Sequence, residues 1–251
     1  MEPVRLSIGV LMLAACGSSS APAADARPDN ACGPGPYVHA HAGVASFSTH
    51  LPVAGATATL DACPEHPFVA DELGYFDLQM TQGLPFDPRI EAAGFVTMRS
   101  GESTITADLD LGYAPLFPTD LMSLFPDDTA SSPALVVITA LPAGTQTNPN
   151  DPCTDRSGVT FSVVGHPEAT LTYYGGSGSA PVLDPSLTAT TTVGAVEIGG
   201  LAQTDAATIE IAAAKTGCTI SCVSYPHTGH YKLENGVLSL AGAFMPPVPP
   251  P

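Results

Sequence analysis

The chain has 251 residues with 7 Lys+Arg against 24 Asp+Glu, a formal charge of 7 − 24 = −17, and only 12% charged residues where ~25% is usual. Such a charge repels phosphate backbones and anionic lipid surfaces, which excludes nucleic acid as a partner and leaves neutral or cationic ones. Gly and Pro together supply 24 + 26 = 50 residues, turn-rich but short of low complexity, and 44% hydrophobic residues suffice for one or two folded domains.

The first feature in chain order is Arg5 followed by the apolar run 6–15. It is too short to cross a bilayer as a helix and has the length of the h-region of a secretory signal. It closes with Leu13, Ala14, Ala15 and Cys16, then Gly17 and three serines, which resembles the lipobox of bacterial lipoproteins. The resemblance implies that 1–15 is a cleaved signal peptide and that Cys16 is acylated. At ~0.8 kcal/mol per buried CH2, several acyl chains would hold the exported protein on the bacterial envelope. Gly17 rather than Asp after the cysteine implies the outer membrane. Residues 16–36 contain no apolar periodicity, so a flexible tether is expected there. The Pro-rich tail 246–251 reads as a short extended stub.

Beyond the tether the hydrophobic period is two. Val44 to Phe47, Thr57 to Leu60, Tyr75 to Leu78 and Thr104 to Asp108 read as strands, separated by turns at Pro52 to Gly55, Glu72 to Gly74 and Gln82 to Pro85. The spacing is that of a β-sandwich, and no long amphipathic helix appears. Pro52 to Thr57 stand at a P-V-x-G-A-x-V pattern, and Asp71 to Phe76 at T-D-x-x-G-x-F with Ala70 in place of Thr. Arg89 to Val96 stand at a further strand pattern ending in A-x-G-Y. Together the stretch from Gly43 to about Leu111 resembles the carboxypeptidase regulatory-like domain, a transthyretin-like β-sandwich.

A first sandwich is therefore expected over 37–112 and a linker over 113–133. Within the linker, Thr119 to Phe125 should form one helical turn capped by Thr119 and closed by Pro126. A second sandwich over 134–245, opening with the strand Ala134 to Leu141, rests on an internal repeat. Gly74 to Leu78 aligns with Gly194 to Ile198, Ile90 to Ala93 with Ile209 to Ala212, and Ala56–Thr57 with Ala169–Thr170. The third alignment requires a longer loop, assigned to Gly175–Ala180. The expected fold is all-β: two transthyretin-like or Ig-like Greek-key sandwiches in tandem after a signal peptide and tether.

An exported chain meets an oxidising compartment, so Cys32, Cys63, Cys153, Cys218 and Cys222 are disulfide candidates, one being left over. Cys32 with Cys63, and Cys153 with Cys218 or Cys222, are the favoured pairings. Cys218, Cys222, His227 and His230 also form a C-x3-C-x4-H-x2-H cluster of metal-ligand types. Its short Cys-to-His spacing, the oxidising compartment and the turn at Pro226 and Gly229 count against a metal, and no cofactor is expected. His39 and His41 alternate on one strand face, expected as a solvated edge, and His50, His66 and His166 fall in loops. Tyr173 and Tyr174 with His227 and His230 match by type the iron ligands of intradiol ring-cleaving dioxygenases, a related sandwich. However, the H-x2-H spacing lacks a preceding Arg-Pro, and adjacent tyrosines point to opposite faces of a strand.

No G-x-S-x-G elbow, H-E-x-x-H or phosphate-cradling loop occurs. Asp108 with Asp110 and Asp127 with Asp128 read as turn residues. The expected function is a non-catalytic, membrane-anchored surface lipoprotein, a binding or scaffold module for a neutral carbohydrate or peptide. With Trp 0, Tyr173 and Tyr174 are the candidate stacking platforms. The alternatives are a metal-binding protein or dioxygenase-like metal enzyme on the same sandwich, and a purely structural envelope component.

Overall fold

A computed structural model describes residues 31–126, 134–140, 153, 156–177, 180–202, 208–218, 220 and 230–244. Cys16, the signal peptide, most of the expected tether, Asp127, Asp128, Cys222, His227 and the tail lie outside the described residues. The chain divides into two units, one ending at Leu121 and the other running on from Met122. Strand is the dominant regular structure of the described residues, alongside a 3-10 turn at Thr119–Leu124.

The first unit contains β1 (Tyr37–Ser46), β2 (Thr57–Thr59), β3 (Phe68–Val69), β4 (Tyr75–Thr81), β5 (Pro85–Phe86), β6 (Arg89–Glu91), β7 (Met98–Ser100), β8 (Ser103–Thr104) and β9 (Leu109–Leu116). β1 is the middle of a three-stranded sheet, antiparallel to β4 and parallel to β9. β7, β6, β2 and β3 form an antiparallel set in that order. The period of two decides what faces inward. Phe76, Leu78 and Met80 of β4 are buried, as are Val38 and Ala40 of β1, while Tyr75, Asp77 and Gln79 alternate outward. Ala58, Phe68, Ile90 and Met98 are the buried counterparts on the other sheet.

The turn into β4 shows why the Asp71 to Phe76 pattern has its residues. Asp71 Oδ1 accepts the Leu73 and Tyr75 backbone N–H groups at 2.9 and 2.8 Å. Gly74 has φ +75°, and a Cβ there would lie 2.6 Å from the Val44 carbonyl oxygen. Only glycine meets both conditions.

Four boundaries differ from the sequence expectation. The expected tether is packed from Ala31 on: Ala31 and Cys32 are fully buried, the Cys32 N–H donates to Gln79 O at 2.8 Å, and the Thr81 N–H donates back to Cys32 O at 2.9 Å. The cause is the Cys32–Cys63 disulfide, with Cα atoms 5.6 Å apart, which pins this end of the chain to the sheet. The expected strand Thr104 to Asp108 is strand only at Ser103–Thr104, and β9 then runs to Leu116, well into the expected linker. The expected strand Arg89 to Val96 stops at Glu91, because a turn closed by Phe95 N–H donating to Ala92 O, with Gly94 at φ +82°, interrupts it. The Thr119 hydroxyl donates to Gly94 O at 3.3 Å, so it ties the 3-10 turn to this loop instead of capping it.

The second unit contains β10 (Ala134–Ala140), β11 (Thr160–Val163), β12 (Thr170–Ser177), β13 (Ala180–Asp184), β14 (Ala195–Gly199), β15 (Thr208–Ala214), β16 (His230–Lys232) and β17 (Leu238–Phe244). β10 is antiparallel to β14 and parallel to β17, the relation β1 has to β4 and β9. β11, β15 and β16 are successively antiparallel, as are β2, β6 and β7. The repeat is therefore topological. Its first two sequence blocks fall on equivalent strands, β4 with β14 and β6 with β15, and Gly74 and Gly194 both have positive φ, +75° and +72°.

The third block is corrected. Thr57 opens β2, whose counterpart is β11, whereas Thr170 opens β12, part of a hairpin with β13 that pairs onto β14. The glycine-rich Gly175–Ala180 segment is likewise no inserted loop. Gly175, Gly176 and Ser177 pair with Val182, Pro181 and Ala180, since a ladder needs backbone groups and not side chains.

Val159, Phe161, Val163, Val196, Ile198, Ile209, Ile211 and Tyr231 form the core of the second unit, beside the Cys153–Cys218 disulfide. The two bridges close loops of 31 and 65 residues, and loop-closure entropy gives about 3.7 and about 4.3 kcal/mol for them.

Candidate binding face of the first unit

The outward residues of β4, β1 and β9 stand in rows set by strand register. Asp77, His41 and Asp110 form one row, and Tyr75, Gly43 and Tyr113 the next. A bulge makes the second row possible. The β1–β9 register shifts between His41 and Ala42, so that Asp110 faces His41 but Tyr113 faces Gly43. In a regular strand Asp110 and Tyr113 would lie on opposite faces; the extra residue re-aims Tyr113 outward. Gly112 carries the required φ of +63°, and its N–H donates to Asp110 Oδ1 at 2.9 Å.

Gly43 is required too: a Cβ there would lie 2.7 Å from Tyr113 Cδ1 and 3.0 Å from Tyr75 Cε1. The two rings therefore close over it, with centroids 4.6 Å apart and planes at 50°. His41 stacks on Tyr75 at 4.4 Å and 13°. The Tyr113 hydroxyl donates to Leu73 O at 3.0 Å. Desolvation first, then the neighbouring Tyr75 hydroxyl and the Asp71 charge, push this phenol up to about 12, so it stays a neutral donor. Tyr113 remains 42% exposed and Leu73 62% exposed.

Carboxylates frame the rings. His39 Nδ1 lies 3.3 Å from Asp77 Oδ1, and His41 Nδ1 lies 3.8 Å from Asp110 Oδ2. The His39 N–H donates to Asp108 Oδ1 at 2.9 Å. A groove of about 270 Å³ adjoins, lined by the segment 67–69, by His41 and Tyr75, and by Asp71 and Asp77. Among the described residues of this unit the arginines, Arg89 and Arg99, lie on the other sheet. Arg89 pairs with Glu91. Arg99, 3% exposed, donates to Asp87 Oδ2 at 2.9 Å and to Asp61 Oδ1 at 3.1 Å.

Tyr173 and Tyr174, expected as stacking platforms, are core residues, 4% and 3% exposed. The Phe161 N–H donates to the Tyr173 hydroxyl at 3.0 Å, and the Tyr174 hydroxyl donates to Leu124 O at 2.6 Å. Each phenol has found a buried partner, so neither offers a ring face to a ligand or an oxygen to iron. His230 lies in β16 opposite Glu210. Among the described residues no group of three or more His, Cys, Asp or Glu is placed to hold a metal ion. Asp110, expected in a turn, lies in β9 opposite His41, and Asp108 accepts the His39 backbone N–H from a distant strand. Of the expected site residues, Cys32 and Cys63, and Cys153 and Cys218, are brought together. Tyr75, Tyr113 and Gly43 are additions, visible only once register is known.

No protein-family model matches the chain, and no curated protein matches it. Among solved structures it is similar to a chain of a C-terminal interface mutant of the type II cohesin–X-dockerin complex of Acetivibrio cellulolyticus, at 18% identity and TM-score 0.27, over 32% of this chain and 56% of that one. It is similar to the TIE protein of Bacillus anthracis at 9% identity and TM-score 0.26, over 83% and 34% of the two chains. It is also similar to the minor pilin of Streptococcus agalactiae at 10% identity and TM-score 0.27, over 85% and 98%. The chain thus spans about half and a third of the first two. Likeness at this level leaves function to the geometry.

Proposed function

We propose that the protein is a non-catalytic binding module of the bacterial surface, exported and anchored by an acylated Cys16, that engages its partner through the outer face of β4, β1 and β9. Kinship of the first unit with carboxypeptidase regulatory-like domains belongs to the same proposal. One observation carries it: two tyrosines converge over a glycine that admits no side chain, beside a groove, on an exposed sheet face. Aromatic rings held in the open by a bulge and a glycine are a binding platform, because their fixed geometry lowers the entropy lost on association. The two disulfides support an oxidising compartment.

The full chain, immobilised and screened on peptide and glycan arrays, tests the platform. Its hits should weaken at least tenfold in Tyr113→Ala. An empty array, or hits indifferent to that substitution, would remove the face from consideration. For the anchor, Cys16→Ser should abolish acyl labelling and release the protein from membranes; a variant still membrane-bound contradicts the lipid anchor.

A further inference from the structure

The groove beside Tyr75 has a definite chemistry. We infer that it receives a single cationic side chain, lysine or arginine, of a protein partner, an inference that rests on the outer face being the binding surface. At about 270 Å³ it falls just below the ~300–1,000 Å³ of small-molecule sites, so it suits one side chain better than a whole ligand. Its wall includes Tyr75, whose ring is stacked on His41 at 4.4 Å and 13°. The His41 and Tyr113 rings, at 4.4 and 4.6 Å, fix its orientation, so an occupant's charge is matched by the carboxylates and not by the ring. Asp71 and Asp77 supply negative charge at the same groove. Pro67 and Val69, the latter 64% exposed, give the aliphatic stem of a long cationic side chain an apolar surface to lie on.

Charge complementarity selects among occupants. The segment 31–121 holds 2 Lys+Arg and 11 Asp+Glu, 2 − 11 = −9. Neither arginine lies on this face, because Arg89 and Arg99 belong to β6 and β7 of the other sheet. β1, β4 and β9 contain no Lys or Arg. An anionic group would meet Asp71, Asp77 and Asp110 with no opposing cation supplied by these three strands. A lysine or arginine head would meet two carboxylates at once.

The test uses short peptides carrying one Lys or Arg, and the same peptides with acetyl-lysine or citrulline, titrated into the full chain by fluorescence anisotropy. The charged peptides should bind at least tenfold more tightly than their neutralised versions. Their binding should fall several-fold in Asp77→Asn, fall at least tenfold in Tyr113→Ala, and weaken as salt shortens the screening length. Asp184→Asn in the second unit, a change of equal charge, should leave binding unchanged. Equal binding of charged and neutralised peptides, still dependent on Tyr113, would overturn the cationic assignment and leave the binding face standing. Absent binding would overturn the cationic assignment, and binding indifferent to Tyr113 would overturn both.

Discussion

Lowering the pH from 7 to 5 is expected to strengthen the first unit by about 1 kcal/mol through Asp87 alone. Asp87 is 5% exposed. Burial first, then the charge of Asp61, raise its pKa from 3.8 to about 6 against the opposing pull of Arg99. Because the folded value lies above the unfolded one, the contribution is fully present below the unfolded pKa of 3.8 and is lost as pH rises through about 6. A shift of about two units at ~1.36 kcal/mol each makes the full span about 3 kcal/mol.

Urea unfolding of the wild type and Asp87→Asn at pH 7 and pH 5 reads this directly, since asparagine keeps the shape and cannot titrate. Protonation of carboxylates other than the neighbouring Asp61 is common to both proteins and cancels in the comparison. The stability difference should move by about 1 kcal/mol in favour of the wild type on acidification. Two proteins whose stabilities change in parallel would refute the assignment of a buried, desolvated Asp87.

Replacing Arg99 by Met strands two carboxylates in or near the core and should cost about 3–5 kcal/mol in urea unfolding at pH 7. Replacing Cys32 and Cys63 together by Ala should cost about 3–4 kcal/mol and expose residues near 31 to proteolysis. Tyr173→Phe removes the acceptor for the buried Phe161 N–H and should cost about 1–3 kcal/mol; circular dichroism melts check it, and binding through the first unit should be unchanged. Gly43→Ala leaves a foldable strand but drives the Tyr75 and Tyr113 rings apart. It should lower affinity at least tenfold, measured on the same array hits, with a change in melting stability within about 1 kcal/mol.

Much of the fold is written locally. The alternation of Phe76, Leu78 and Met80 with Tyr75, Asp77 and Gln79 announces β4 and its buried face. The Asp71 to Gly74 turn is readable because one carboxylate and one glycine satisfy it. The Cys32–Cys63 pairing is one of several that an oxidising compartment allows, and the fold selects it. Register is not local, and the binding face depends on it. Nothing adjacent to Gly43 in the chain shows that Tyr75 and Tyr113 flank it. Asp110 to Tyr113 reveals a bulge only when Asp110 is seen opposite His41 and Tyr113 opposite Gly43, so Tyr113 is read as linker.

The misplaced third block of the repeat has the same origin. Alternating strands resemble one another, and only pairing partners tell β11 from β12. Tyr173 and Tyr174 mislead for another reason. A phenol is at home on a surface or in a core that offers its hydroxyl a partner, and the partners here, Phe161 N–H and Leu124 O, are distant in sequence. The glycines that follow these tyrosines read as loop because they lack side chains, yet they ladder as β12.

A titration of the isotopically labelled full chain with a single-lysine peptide, followed by NMR, asks where a cationic partner sits. Shifts concentrated at His41, Tyr75, Asp77 and Tyr113 are the expected result. Shifts centred on β12 and β13, or none at saturating peptide, would contradict the assignment of the β4–β1–β9 face.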